Sequence, residues 1–538
     1  MNFNKLSSTV VTRPRKPANN ENIIYEKLKF RRQFLLARAP IDQLTEWNCL
    51  NIDKYYLYVH PDLEINRVDD ALKSIVLIGN LFDPIQPEKK SDDILRDING
   101  NTKKLDDLFL QVKPYIGSYA LFFKDDKDTI IFNDALSLRE IYYYTKENLV
   151  ICGSQPNLLV TFSNPEIHVT EDNDLLDFFD NHLEYCSMIG DQTYYSNLKH
   201  LLPNHFLDIE KREVHRYWPT GFIERLSLEE AVPKICSFLQ GSIRAMVYRH
   251  PIMMAVTAGW DSRTLLAASK GLQEKIYYFI NDEGLGVGHP DISVPQRIFN
   301  SIGIPFHVHD VPNDMNDEFR KIFFNNTFFA SDRILTTIYN VYFKHHSDKV
   351  NVIGTGEIGR TRFGRQPKNL NSFRLAYLMG YKESFYALKQ SEQIFSELLP
   401  VSQESGINIL TLFFWEQNQG NRWVVGNSES DIAIEEIDPF DSHLLYEIFL
   451  GVDEKYTQSN NILFTEIIRQ MWPELLGWPV NPPHRLKDKA KWFLGRMGVF
   501  ESLKELKYQL NFMGHLYKKW RGPLAFSFIS GSLALFFV

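Results

Sequence analysis

The sequence predicts an α+β half built on antiparallel sheet, followed by an α/β half built on a doubly wound parallel sheet. Three observations carry this expectation. With 538 residues the chain exceeds what one hydrophobic core usually organises, so two domains of roughly 200 to 270 residues are expected. Between about residues 55 and 218, short apolar runs follow one another across polar turns, the pattern of paired antiparallel strands. After Trp218 the rhythm becomes strand, helix, strand, which calls for crossover helices over a parallel sheet.

The strand-like runs of the first half are Tyr55-Tyr56-Leu57-Tyr58-Val59, Ser74-Ile75-Val76-Leu77-Ile78-Gly79 and Tyr119-Ala120-Leu121-Phe122-Phe123. Thr129-Ile130-Ile131-Phe132, Ile141-Tyr142-Tyr143-Tyr144 and Leu149-Val150-Ile151-Cys152 complete the series. All are rich in β-branched and aromatic residues, which suit a pleated surface. In the second half, residues 227–250 place Ala231, Ile235, Leu239, Ile243 and Met246 at helical spacing. A buried strand over 251–256 then runs into Thr257-Ala258-Gly259-Trp260-Asp261-Ser262. Residues 263–270 form a helix closed by Gly271, 275–281 the next strand, and 291–302 a helix closed by Gly303. Strands over 305–309 and 350–353 follow, the second entering Gly354-Thr355-Gly356-Glu357. Ligands of such a sheet bind at the carboxyl ends of its strands.

Composition excludes several function classes. A net charge of -8, from 59 basic and 67 acidic residues, is wrong for general nucleic-acid binding. Cys49, Cys152, Cys186 and Cys236 are far apart, with no spacing suited to zinc or a disulfide framework, so free thiols in a reducing compartment are expected. Residues 1–20 are polar, carry Arg13, Arg15 and Lys16, and lack the apolar core of a secretory signal. They read as a disordered tail within a flexible 1–50 region of a cytoplasmic protein. Residues 523–538 are uncharged and largely apolar, and follow Lys518, Lys519 and Arg521. As a helix they would span about 24 Å, short of the roughly 30 Å hydrocarbon core. A buried C-terminal segment is expected, and peripheral membrane contact, with the basic residues facing anionic lipid, is the alternative.

The turn after the strand at 251–256 is the first candidate site. Small residues sit where a strand feeds a helix, so successive N–H groups would point into one concavity with the helix N-terminus behind them, a setting for polyphosphate. Gly259 permits close approach, Thr257 and Ser262 offer hydroxyls, and Asp261 can hold the magnesium that accompanies ATP. The plain structural alternative is an ordinary capped strand-to-helix turn.

That turn resembles the Ser-Gly-Gly-x-Asp-Ser pyrophosphate loop of the asparagine synthetase family, with Thr257 and Ala258 in place of the first Ser and Gly. Thr193-Tyr194-Tyr195, Leu201-Leu202-Pro203-Asn204-His205 and Arg216-Tyr217-Trp218 look like that family's bridge into its synthetase domain. Asp438-Pro439-Phe440-Asp441 and Met471-Trp472-Pro473-Glu474-Leu475 look like its later landmarks, in the same order. Gly117-Ser118-Tyr119-Ala120-Leu121, Asp134, Tyr142 to Tyr144 and Ser154 follow the order of its glutaminase domain. The resemblance covers about residues 55–483. It implies an Ntn-hydrolase-like domain over 51–220, a synthetase domain of the adenine nucleotide alpha hydrolase type over 221–485, and a basic and apolar extension over 486–538.

Members of that family adenylate a carboxylate with Mg-ATP, release pyrophosphate and let an amine displace AMP. The resemblance therefore implies ATP and Mg2+ as cofactors, with Thr257, Ala258, Gly259, Asp261, Ser262 and Gly356 at the nucleotide and Asp261 on the metal. Phe279 is a candidate neighbour of the adenine, its alternative being an ordinary core aromatic. Gly354-Thr355-Gly356-Glu357-Ile358-Gly359-Arg360 aligns with the family's Gly-Glu-Gly-x-Asp-Glu loop. Glu357 would orient or deprotonate the amine. Arg360 stands where the family has a second acidic magnesium ligand. With Arg362 and Arg365 it would contact phosphate or an acidic acceptor, or belong to a solvated basic loop.

Two further departures matter. Where the family carries a late lysine before a Leu-Arg pair, this chain reads Asn460-Asn461-Ile462-Leu463-Phe464-Thr465, leaving Lys455 and Arg469 as candidate substitutes. Glutaminase members begin with a catalytic Cys after the removed Met, but residue 2 here is Asn2 and the first cysteine is Cys49. The expectation is an ATP-dependent amide-forming ligase that joins a small-molecule or peptide carboxylate to ammonia or an amine, without its own glutaminase. The alternatives are a non-catalytic nucleotide-binding or scaffolding relative and, last, a glutamine-hydrolysing synthase. The histidines, including His307, His309, His345 and His346, read as core or surface residues, and Asp282 and Glu283, which follow a strand end, as a solvated loop, the alternative being that they line the pocket.

Overall fold

The computed structural model describes residues 25–483, apart from 71, 147–148, 163–166, 182–187, 287, 360–369, 379, 382–383 and 458–460. The first half holds two six-stranded sheets. β1 (Phe34–Ala37), β2 (Asn48–Ile52), β3 (Tyr55–Val59), β8 (Tyr142–Lys146), β9 (Leu149–Gly153) and β10 (Leu198–His200) form one, in the order β10-β8-β9-β1-β3-β2. β4 (Ile65–Asp69), β5 (Ser74–Phe82), β6 (Ile116–Lys124), β7 (Thr129–Asn133), β11 (His205–Asp208) and β12 (Glu213–Arg216) form the other, in the order β12-β11-β7-β6-β5-β4. Every pairing in both is antiparallel.

The strands alternate their faces, and that alternation builds the layers. Phe34, Leu36, Leu57 and Val59 from the first sheet meet Val76, Ile78, Phe122 and Ile131 from the second in one core. The outward set of the second sheet, Ile75, Leu77, Leu121 and Phe123, is covered by α1 (Ser91–Asn101) and α2 (Leu105–Val112) through Ile94, Leu95, Ile98 and Leu108.

The sequence places the antiparallel half from residue 51, and the structure corrects this boundary. β1 lies inside its sheet, between β9 and β3, with all four residues buried. Its run Phe34-Leu35-Leu36-Ala37 is too short and too uniformly apolar to show a strand period, because both of its faces are covered. β2 is an edge strand with one buried residue, which leaves it no alternation to read.

The second half carries a five-stranded parallel sheet. β13 (Ile252–Ala255), β14 (Ile276–Asp282), β15 (His307–Asp310), β16 (Val350–Val352) and β17 (Glu435–Ile437) run in the order β15-β14-β13-β16-β17. The strand order reverses direction between β13 and β16, so the crevice at the carboxyl ends of those two strands is the topological switch point. α3 (Leu228–Arg249), α4 (Trp260–Ala268) and α5 (Pro290–Ile302) pack on the Met254 and Tyr278 face. α6 (Asp317–Asn326) and the π-helical segment Ile338–His346 pack on the Met253 and Phe279 face. α3 starts with a capping box in which Ser227 accepts from the Glu230 N–H and Glu230 reaches back to the Ser227 N–H. α5 ends at Gly303, whose φ of 71° is the left-handed cap that glycine supplies. α4 begins at Trp260, three residues before the helix read from the sequence.

The two halves share one apolar cluster that runs from Leu95 and Leu121 through Trp218 to Leu239, Phe440 and Ile467. Their contact is close enough to constrain single residues. A Cβ at Gly241 on α3 would come 1.9 Å from the Pro84 carbonyl oxygen, so the helix docks there because residue 241 is glycine. Polar bonds cross the same boundary. Arg139 pairs with Asp431 at 2.6 Å, the Trp415 indole donates to the Ala135 carbonyl at 2.7 Å, and Arg216 Nη2 donates to Glu416 Oε2 at 2.8 Å.

Candidate active site at the ends of two parallel strands

The turn at 257–262 and the loop at 354–357 leave β13 and β16 at their carboxyl ends, on the two sides of the switch point. The structure brings them together. A Cβ on Gly356 would lie 2.5 Å from Asp261 Oδ1, so the second loop passes directly over the first turn of α4. Thr355 donates both its N–H, at 2.8 Å, and its hydroxyl to Asp438 Oδ2. Asp438 is fully buried just past β17. Burial, with the Asp261 charge adding to it, pushes the Asp438 carboxyl up to about 7 against those bonds.

The first three N–H groups of the turn already have side-chain partners. Thr257 N–H donates to Ser262 Oγ at 3.1 Å, Gly259 N–H to Thr257 Oγ1 at 3.1 Å, and Ala258 N–H to Asp291 Oδ1 at 2.9 Å. Two hydroxyls and one carboxylate thus stand where a phosphate would bind. The turn itself is held from behind by the chain past Met471. Arg263, wholly buried, donates to the Leu475 carbonyl at 2.9 Å and the Pro479 carbonyl at 3.2 Å, and Asn481 N–H donates to the Ala258 carbonyl at 2.9 Å.

Thr257, Ala258, Gly259, Asp261 and Ser262 thus lie in one turn, with Gly356 directly over Asp261. Glu357 is half-buried and receives Gln419 Nε2 at 3.5 Å from the π-helical segment Phe414–Trp423. Phe279 does not join them. Its ring is fully buried on the opposite face of the sheet, stacked on His309 at 5.2 Å and clustered with Met253 and Phe323. The assignment of Phe279 to an adenine contact is thus replaced by a core role, as its position in the inward register of β14 dictates. Arg360, Arg362 and Arg365 lie outside the described residues. Lys455 is exposed and pairs with Asp453, and Arg469 is exposed on the helix Ile462–Met471 and pairs with Glu466, so both stand at the surface.

Asp291, Asp438 and Gln419 are site residues that the sequence did not single out as such. Asp438 was legible only as part of a Pro-Phe landmark, and the other two carry no local signal. Among the described residues, no three His, Cys, Asp or Glu side chains come together as a metal cluster. Asp438 Oδ1 accepts from the Phe440 N–H at 2.9 Å and its Oδ2 from Thr355, so Asp261 is the carboxylate here whose oxygen chemistry suits a hard divalent cation beside phosphate. The residues present fit magnesium.

No protein-family model and no curated protein matches the chain. Among solved structures, it is similar to the glutamine phosphoribosylpyrophosphate amidotransferase of B. subtilis complexed with ADP and GMP, at 10% identity and a TM-score of 0.23, over 63% of this chain and 73% of that one. A second structure, of the allosteric regulatory enzyme of purine biosynthesis, matches at 10% identity and a TM-score of 0.22, over the same shares. Identity and TM-scores this low carry neither a fold nor an activity across.

Proposed function

We propose that the chain is an ATP-dependent amide-forming ligase that adenylates a carboxylate, releases pyrophosphate, and passes the acyl group to an amine or ammonia. The observation that supports it is the convergence of the 257–262 turn and the 354–357 loop at the switch point, with Asp261 against Gly356. A carboxylate is a poor electrophile until one oxygen becomes a good leaving group, so the protein must align acid and nucleotide and shield the product from water. In this reading the phosphates displace the Ser262, Asp291 and Thr257 oxygens from the N–H groups of Thr257, Ala258 and Gly259, and the freed Thr257 and Ser262 hydroxyls turn to the phosphates. Gly356 lets the second loop approach closely. Asp261 would hold the magnesium ion, whose charge offsets that of the phosphates. Glu357 orients the attacking amine, and Arg360 contacts phosphate or acceptor.

Glutamine is not the nitrogen donor in this reading. Cys152 and Cys236 are buried, and burial pushes each thiol up to about 12, far from a nucleophile's range. Cys49 sits exposed on the edge strand β2, and Cys186 lies outside the described residues.

A second reading, nucleotide binding without turnover, is favoured by the surface positions of Lys455 and Arg469. Thermal unfolding with and without Mg-ATP, in wild type and Asp261→Ala, tests both. Ligand at about 100 times its dissociation constant adds roughly 2.7 kcal/mol. The ligase reading expects a shift that Asp261→Ala abolishes, together with pyrophosphate release on adding carboxylic acids. A shift with no release across a broad acid panel leaves the second reading, and no shift at millimolar ATP removes both.

A further inference from the structure

A cavity of about 310 Å³ lies beside the site, where the parallel sheet meets the antiparallel half. Ile353, Gly354 and Thr355 form one wall, so the cavity adjoins the loop that continues through Gly356 to Glu357. Leu136 and Leu138, from the turn after β7, form another. Most of the lining is apolar, and its charged members are Glu283 and Glu436; no Lys, Arg or His lines it among the described residues. Both carboxylates are held in place. Asn351 Nδ2 donates to Glu436 Oε1 at 2.8 Å, and the Thr337 hydroxyl donates to Glu283 Oε1 at 2.7 Å.

We propose that this cavity binds the nucleophile of the reaction as an aliphatic amine, its ammonium group at Glu283 and Glu436 and its carbon chain against Leu136, Leu138 and Ile353. The assignment rests on the ligase reading for the fate of the amine, but not for its binding. Charge disfavours the other substrates in this space: a carboxylate or a triphosphate would face Glu283 and Glu436, with no cation lining it among the described residues. Size separates a substituted amine from ammonia. A molecule as small as water takes about 30 Å³ of liquid, so ammonia alone would leave most of the cavity unfilled. An ammonium group would supply the counter-charge to two carboxylates that the Asn351 and Thr337 hydrogen bonds hold.

The geometry also fits the chemistry that follows. An ammonium ion must shed one proton before its nitrogen lone pair attacks the acyl adenylate. A second proton leaves as the C–N bond forms and the acyl C–O bond breaks, and AMP departs with that bond's electron pair. Glu357 stands two residues beyond Thr355 on the same loop and accepts from Gln419, which lines the cavity, so it is the proposed acceptor of the first proton.

Calorimetric titration of the full chain without ATP tests the assignment, with hexylamine and butylamine as probes and hexanol and hexanoate as neutral and anionic counterparts. The expected result is saturable amine binding, at least tenfold tighter than hexanol, no binding of hexanoate, and at least tenfold weaker amine binding in Glu436→Gln and Glu283→Gln. Equal binding of amine and alcohol, binding of hexanoate in preference to either, or no amine binding overturns it. These comparisons use wild type alone, so they stand even where a variant folds poorly. Amine binding unchanged in both folded variants overturns it as well. Amine binding with no pyrophosphate release upholds the pocket and sinks the ligase reading; pyrophosphate release without amine binding does the reverse.

Discussion

Asp261 Oδ1 lies 2.5 Å from where a Cβ on Gly356 would stand, so the two loops of the candidate site are packed to the limit that glycine allows. Gly356→Ala must displace either the Asp261 carboxylate or the 354–357 loop. The expected outcome is a loss of about 1–3 kcal/mol in stability, as for other overpacked sites, and loss of the Mg-ATP thermal shift. Gly221→Ala, where a Cβ meets nothing within 4 Å, is the control and should leave both unchanged. An alanine variant that keeps the full Mg-ATP shift would show that this contact is not part of the nucleotide site.

Asp291 places a negative charge on the Ala258 N–H, where a phosphate is expected. Asp291→Asn should therefore tighten Mg-ATP binding several-fold, on the order of 1 kcal/mol for one like charge in a partly solvated site. Titration calorimetry at fixed ionic strength reads this directly. Weaker binding in the variant would mean that Asp291 helps to hold the nucleotide or its cation instead of opposing it.

Arg216 and Glu416 join the halves through a bond that is nearly buried on the glutamate side. Burial works against the Glu416 charge, yet the Arg216 guanidinium prevails and holds the carboxyl below its usual range. Arg216→Met leaves that charge without its main partner and should cost up to about 3–5 kcal/mol, read as a lower urea midpoint. Adding Glu416→Gln should recover much of the loss. A double variant as unstable as Arg216→Met alone would assign the cost to packing.

His443 is fully buried among Tyr217, Trp218 and Trp415, and its Nε2–H donates to Asn204 Oδ1 at 3.0 Å. Burial pushes its pKa down from 6.5 to about 3. The folded state thus holds the neutral ring, and its contribution is fully present above about pH 6.5 and is lost as the pH falls toward 3. Relative to His443→Gln, which does not titrate, wild type should lose roughly 1.6 kcal/mol between pH 6.5 and 5. Parallel stability curves for the two proteins over that range would contradict a neutral buried His443.

Much of this molecule was legible in its sequence because the signals were local. The strand-like runs at 55–59, 74–79, 119–123, 129–132, 141–144 and 149–152 all fall within strands or within a residue of them. Helix 291–302 ended at its glycine, and the Thr257-to-Ser262 turn was marked by small and hydroxyl residues between a buried strand and a helix. In each case a few consecutive side chains carry the whole instruction, since propensity, capping and period act within one turn or one pleat.

What the sequence could not decide was whatever depends on which elements meet. β1 becomes an inner strand only because β3 and β9 bind its two edges, and Phe279 becomes core only because α6 covers its face of the sheet. Asp291 and Asp438 reach the 257–262 turn and the 354–357 loop from positions 33 residues after Ala258 and 83 after Thr355. The cavity beside them takes Leu136 from one half and Glu436 from the other. Local sequence determined the two kinds of sheet and the turn that a phosphate would suit. The tertiary structure decided the rest, because contacts between distant segments are fixed by how whole sheets and helices bury their apolar faces, and no short run of residues encodes that.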